Sequence, residues 1–174
     1  MPTTDHVADG ALETRDGEHI LRFERRFDHP IERVWDALTE PEELVAWLAD
    51  ADVDLVKGGR IELRWLNTDD QGNSAVLHGT ITELEPLRVI EYLGDIHGRL
   101  RWELRRDGNG CVLTFTSTLP APNEWLVSSL AGWDIHLDHL AAALDGRSVD
   151  WPNWWADYFG AWSEKRDRYA AKVG

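Results

Sequence analysis

The stretch of the chain that decides the fold is residues 23–47, which read FERRFDHPIERVWDALTEPEELVAW. Apolar and charged residues alternate along 18–27, and this period of two is typical of a half-buried strand. Pro30 ends the strand, and apolar residues then recur along 31–39 at the spacing of an amphipathic helix. Pro41 stands where the first turn of a second helix accepts a proline. The stretch therefore predicts one strand followed by two short helices.

The middle of the chain alternates between apolar and polar residues and is interrupted by turn residues, so it predicts strands. The Gly58-Gly59 pair joins the first two of them into a hairpin. The predicted strands are 52–56, 60–66, 74–84, 88–93, 99–106 and 111–119. Strands joined by turns this short form an antiparallel meander.

Two helical patterns complete the chain. The first, 123–144, is the longest, with an apolar stripe along its whole length, Asn123 as the predicted N-cap and Gly146 just past its end. The second is 154–173. Together these elements predict an α+β fold in which a curved antiparallel sheet of about six or seven strands wraps around the long helix.

The chain divides into three parts. Residues 1–17 have little apolar periodicity and are expected to form a flexible N-terminal tail. Residues 18–146 carry the sheet and the long helix as one domain, and 147–174 form a C-terminal aromatic extension that ends in a helix. The aromatic cluster from Trp151 to Trp162 packs the last helix onto the domain, or else forms a dimer contact or a lid over a pocket.

Composition narrows the classes of function. The formal net charge of −14 disfavours binding to nucleic acids or to anionic membranes. Because the chain has a single cysteine, it cannot form an internal disulfide. We see neither a run of apolar residues long enough to span a membrane nor the pattern of a signal peptide, so we expect a cytoplasmic protein. Ten tryptophans in 174 residues exceed what a core of this size needs, so either the core is very aromatic or aromatic side chains line a cavity.

Several motifs occur in an order that resembles one superfamily. Besides residues 23–47, they are Gly58-Gly59-Arg60, His78-Gly79, Gly132-Trp133 and His136-Leu137-Asp138-His139-Leu140. Over residues 18–146 the chain resembles the SRPBCC superfamily, the START-like or birch-pollen-allergen-like proteins with a helix-grip fold, and in particular the bacterial homologues of the heat-shock-protein ATPase activator. The resemblance implies a cavity between sheet and long helix that often holds hydrophobic or aromatic ligands. It implies little about a reaction, because its members include lipid carriers, polyketide cyclases, hormone receptors and chaperone cofactors.

Inward positions of the strands and of the long helix are the candidate cavity residues. Trp133 would stack on a planar ligand and His136 would supply a hydrogen bond or a proton; alternatively, Trp133 fills the core and His136 lies at the rim. The cavity candidates of the strands are Trp65, Trp102 and Phe115, and those of the helix are Ser129, Trp133, His136 and Leu137.

Two charged residues interrupt apolar strand faces and complete the candidate set. Arg25 and Glu83 both fall where alternation predicts an inward side chain. Because a buried charge needs a partner, they are expected to pair with each other, or Arg25 to bind a ligand carboxylate; alternatively, one of them lies in water at the mouth.

Other chemistries have weak sequence support. His136 and His139 are three residues apart on a helix, but no second pair of metal ligands is evident, so we expect neither a metal nor another cofactor. The serines lack the sequence of a nucleophile elbow, and Cys111 lies in a predicted strand without a helix N-terminus behind it.

Three functions remain open. The leading hypothesis is a monomer or homodimer that binds a small apolar or aromatic molecule without covalent chemistry, because tryptophans occupy inward positions. The second is an enzyme of the cyclase or aromatase type that acts on a ligand held in the same cavity. The third is a protein-interaction module of the chaperone-activator type.

Overall fold

The computed structural model of the protein describes residues 9–69 and 71–173. Within them, the strands form one antiparallel sheet of eight strands in the order β1-β2-β8-β7-β6-β5-β4-β3. The strands are β1 Ala11–Arg15, β2 Glu18–Phe27, β3 Asp50–Val53, β4 Arg60–Arg64, β5 Val76–Glu85, β6 Val89–Gly94, β7 Arg99–Asp107 and β8 Gly110–Pro120. The helices are α1 Ile31–Thr39, α2 Pro41–Leu44, α3 Leu126–Leu144 and α4 Trp154–Val173, with a short 3-10 helix at Trp151–Asn153.

The architecture confirms the predicted fold class. The sheet packs against the long helix α3, and the two short helices follow the strand that contains Phe23. α1 has the predicted bounds and buries the four apolar residues of its stripe, Ile31, Val34, Trp35 and Leu38. The N-cap prediction is wrong: α3 begins at Leu126, and the Asn123 side chain instead accepts a hydrogen bond from the Trp125 N–H at 2.9 Å.

The predicted flexible tail is wrong from residue 11 onwards, since Ala11–Arg15 forms β1 and pairs with β2. β1 is an edge strand in which Leu12 alone is partly buried, so apolar alternation does not reveal it. Asp16 and Gly17, both with positive φ, form the turn into β2. Residues 1–8 of the predicted tail lie outside the described residues.

A bulge in β5 moves Glu83 to the opposite face from the one that alternation predicts. Ile81 pairs with Tyr92 and Glu83 pairs with Glu91, so one strand has an extra residue at Thr82. Because this insertion reverses the inward–outward alternation, the Glu83 carboxylate lies outside the sheet, 2.6 Å from the Arg101 guanidinium. The predicted inward position of Glu83 is therefore wrong.

Aromatic rings fill the space between the middle of the sheet and α3. Trp102 stacks on Phe115 with ring centroids 4.0 Å apart, and Trp133 of α3 lies 4.7 Å from Phe115. Trp47 meets the edge of Trp102 at 5.8 Å and donates a hydrogen bond to the Ala37 carbonyl. Any ligand space must therefore lie beyond this packed layer.

None of the helices within 9–69 and 71–173 is long and apolar enough to cross a membrane.

The last helix, α4, lies along α3, where Trp154 packs with Ile135 and Val149 in a small second core. The aromatic extension thus belongs to the same packed body as the sheet.

Candidate ligand cavity

A cavity of about 570 Å³ lies at one end of the molecule, between α3, the start of α4, the β4–β5 loop and the β6–β7 turn. Its lining includes six of the ten tryptophans and Phe159. The six are Trp65, Trp125, Trp133, Trp154, Trp155 and Trp162. A concave site of this size, with several aromatic side chains and a few polar groups in its walls, is typical of small-molecule binding.

Trp133 joins the cavity to the aromatic core. Its ring meets Trp65 at 6.1 Å and His97 at 5.6 Å, both in edge-to-face geometry, and it also contacts Trp102 and Phe115 of the packed layer. His97 is held in a turn with positive φ, where Ser117 Oγ donates to its carbonyl at 3.3 Å. Burial lowers the pKa of His97. The floor of the cavity is consequently rigid and aromatic.

His136 is a polar group of the cavity lining and is only 4% exposed. Its Nδ1 lies 2.7 Å from the carbonyl oxygen of Gly132, one turn earlier on α3. Its Nε2 is buried and has no hydrogen-bond partner within the described residues. Burial lowers the pKa of His136 to about 4, so the ring is neutral at pH 7.

His139, the neighbouring histidine, is already engaged. The Trp154 indole N–H donates to His139 Nε2 at 3.1 Å, and the ring packs edge-on against Tyr158 at 4.6 Å. Burial and the nearby His136 and Lys165 lower the pKa of His139 to about 3. Across 9–69 and 71–173, no three His, Cys, Asp or Glu side chains lie together as ligands for a metal ion.

Arg25 is buried as expected, but its partner is not Glu83. Its guanidinium lies 3.2 Å from the carboxylate of Asp134 on α3, and both side chains are almost fully buried. Lys165 of α4 binds the same carboxylate at 2.9 Å, and the Tyr169 hydroxyl donates to it. The predicted Arg25–Glu83 pair is wrong because the β5 bulge turns Glu83 outward, while Asp134 supplies the carboxylate that Arg25 needs.

The structure separates the sequence candidates into three groups. Trp65, Ser129, Trp133 and His136 line the cavity. Trp102, Phe115 and Leu137 are buried in the core and are not part of the lining. Arg25 forms an ion pair that joins β2 to α3, and Glu83 forms one on the outer face of the sheet.

Other lining residues were not among the sequence candidates. Trp154, Trp155, Phe159 and Trp162 come from the extension, where their clustering in the sequence was a usable signal. Asn67 comes from the β4–β5 loop, and its Oδ1 is buried without a partner within the described residues. No sequence pattern pointed to Asn67.

A second depression, of about 660 Å³, is lined by residues of β3, β4 and β5. Polar side chains such as Asp52, Asp54, Glu62 and His78 alternate there with apolar ones such as Ile61. Within the described chain, none of its lining side chains has a buried polar atom without a partner. It therefore lacks the tryptophan and phenylalanine walls and the unpartnered buried polar atoms of the cavity at α3.

Residues 28–145 match the sequence profile of the family described as Activator of Hsp90 ATPase homolog 1-like protein. No curated protein matches the chain. Solved structures do match: CalU16 from Micromonospora echinospora, determined in solution, is 23% identical over 98% of this chain and 97% of its own, with a TM-score of 0.73.

Two further solved structures have the same fold. The protein of unknown function EF2215 from Enterococcus faecalis is 17% identical over 94% of this chain and 90% of its own, with a TM-score of 0.69. The AHSA1-like protein from Aeromonas hydrophila is 22% identical over 73% of this chain and 92% of its own, with a TM-score of 0.63. At these identities the matches establish the fold of this chain but not the function of its site.

Proposed function

Because this chain belongs to the family of activator of Hsp90 ATPase homolog 1-like proteins, whose fold encloses space beside its long helix, we propose that it binds a small aromatic or apolar molecule without covalent chemistry. The proposed site is the cavity between α3 and α4. The observation that carries the proposal is the concentration of six tryptophans and Phe159 around one cavity of about 570 Å³.

The aromatic walls support a planar ligand in particular. Trp155 stacks on Phe159 at 4.0 Å, and Phe159 stacks on Trp162 at 5.8 Å, so three aromatic rings lie side by side along one wall. Trp125 is 65% exposed and Trp155 is 40% exposed at the mouth. Large aromatic side chains left in water are stabilised when a ligand covers them.

The polar groups of the cavity support binding over catalysis. At a pKa of about 4, His136 is neutral at pH 7 and accepts a hydrogen bond, but it is a weak general base, since efficient bases have pKa values near the working pH. The carboxylate of Asp69, also in the lining, accepts hydrogen bonds from the backbone N–H groups of Gln71 and Asn73. A cyclase-type reaction would therefore have to proceed without a strong base.

Gly132 offers a direct test of the site. It lies in the lining, and a Cβ at this position meets no heavy atom within 4 Å, so a larger side chain would extend into the cavity without a backbone clash. We expect Gly132→Leu to lower the affinity for the planar probe 1-hydroxypyrene by about tenfold or more, measured by energy transfer from tryptophan. Native mass spectrometry of the purified protein would report any ligand that co-purifies.

Gly160 provides the matched control. It also lies in a helix with open space around its Cβ, but it is not part of the lining. Gly160→Leu should bind the probe as the unchanged protein does, and both variants should be as stable as the unchanged protein or more so, because leucine favours helix over glycine. Equal binding by both variants would locate the probe elsewhere and refute the proposed site.

A further inference from the structure

The hydrogen bond inside α3 fixes the protonation of His136. A carbonyl oxygen only accepts hydrogen bonds, so the 2.7 Å contact with the Gly132 oxygen requires the proton to be on Nδ1. In a neutral imidazole the other nitrogen then carries a bare lone pair. His136 Nε2 is therefore an acceptor and not a donor.

The surroundings of His136 contain no donor for this lone pair among the described residues. The ring is flanked by Trp151 at 6.2 Å, Trp133 at 6.5 Å and His139 at 5.5 Å. The Trp151 indole N–H donates to the Val45 carbonyl, and the Trp154 indole N–H donates to His139. Both of these indole donors are thus used by other acceptors.

The ammonium of Lys165, whose charge acts on the adjacent His139, is also engaged. Lys165 binds the carboxylate oxygens of Asp134 at 2.9 Å and of Asp138 at 3.0 Å. A buried acceptor without a partner costs free energy, and a group that enters the cavity with a donor regains it. Asn67 Oδ1 adds a second buried polar atom without a partner to the same lining.

From this geometry, and resting on the proposed ligand binding, we infer that the ligand is a planar aromatic compound with a hydrogen-bond donor, a hydroxyl or an N–H group, which binds to His136 Nε2. The aromatic walls hold the ring system, and His136 selects for the donor. Asn67 holds a second polar substituent, and its amide can present either a donor or an acceptor to it.

Three related probes distinguish the effect of a hydrogen-bond donor on affinity from the effects of ligand size and shape. 1-Hydroxypyrene has the donor, 1-methoxypyrene has the oxygen without the donor, and pyrene has neither. We expect the unchanged protein to bind 1-hydroxypyrene at least about tenfold more tightly than either of the others. His136→Phe keeps an aromatic ring and removes the acceptor. The variant should therefore bind the three probes with about equal affinity.

Nitrogen NMR of the unchanged protein gives a test that does not depend on the folding of a variant. On addition of 1-hydroxypyrene, the ¹⁵N resonance of His136 Nε2 should move in the direction of hydrogen-bond formation while Nδ1 keeps its proton. 1-Methoxypyrene should leave the Nε2 resonance near its starting position.

The outcomes distinguish this inference from the proposed function. Equal affinity for the three probes, or a preference retained by His136→Phe, would overturn the role of His136 while leaving the cavity as the binding site. Failure of all three probes to bind would overturn the proposed function itself, and the inference with it.

Discussion

At the residue scale, His136 and His139, together with His97, are buried histidines with lowered pKa values that make the protein sensitive to acid. The rings of His136 and His139 are buried beside aromatic side chains, and burial lowers their pKa values to about 4 and about 3. An unfolded histidine takes up a proton near pH 6.5, whereas these two do not while the protein is folded. The unfolded state therefore binds more protons below pH 6.5, and stability falls as the pH falls.

We predict that the free energy of unfolding decreases between pH 6.5 and pH 5, by about 1.5 kcal/mol for each of the two histidines. Urea denaturation at several pH values measures the decrease. His136→Phe should flatten the dependence by about half of that sum, since one titrating group is removed. A stability that does not change over this interval would contradict the burial of both rings.

Individual residues also show what the sequence pattern could predict about the site and what it could not. Alternation correctly predicted that Trp65 and Trp102 point inward, but it could not separate a residue of the cavity wall from one of the filled core, because both occupy the same kind of position. Of the alternatives open for Arg25, the structure shows a buried ion pair, but with a partner other than Glu83. The partner, Asp134, is 109 positions away in the chain and follows from no local pattern.

At the scale of elements, α4 and the N-terminal strand are tied to α3 through Tyr169. Its hydroxyl accepts a hydrogen bond from the Gly10 N–H at 2.7 Å and donates one to the Asp134 carboxylate. Lys172 and Arg168 add ion pairs to Asp9. Helix α4 and the residues that precede β1 are therefore held together beside the buried Asp134 carboxylate.

We predict that Tyr169→Phe destabilises the protein by about 1–3 kcal/mol, because the Gly10 N–H and the Asp134 carboxylate both lose a buried partner. The Gly10 amide should exchange with deuterium faster than in the unchanged protein. Tyr158→Phe is the control, since the described part of the chain shows no hydrogen bond to that hydroxyl and its ring contact with His139 is retained. Equal effects of the two substitutions would refute the role of Tyr169.

The elements differ in how well the sequence predicts them. α1 and α4 have the predicted bounds, because apolar spacing and flanking prolines mark them. β1 escapes prediction because an exposed edge strand needs no apolar alternation. The bulge at Thr82 escapes because a one-residue insertion depends on the pairing with β6 and leaves no mark in the composition.

At the scale of the whole molecule, the order of elements was enough to predict the fold, but the position of the cavity was not. The sequence predicted a cavity between the sheet and the long helix, with Trp102 and Phe115 among its lining residues. In the structure, Trp47, Trp102 and Phe115 fill that space, and the cavity lies farther along α3, where the extension supplies one wall. The tryptophans of this chain thus both fill the core and line the cavity, which are the two roles that the composition left open.

The most direct test of the account is a titration of ¹⁵N-labelled protein with 1-hydroxypyrene, followed through the indole N–H signals. We predict that shifts concentrate in the six tryptophans of the lining, while Trp35 and Trp47, buried away from the cavity, keep their positions. No shift at saturating probe, or shifts of Trp35 and Trp47 as large as those of the lining, would contradict the proposal that the cavity between α3 and α4 is the binding site.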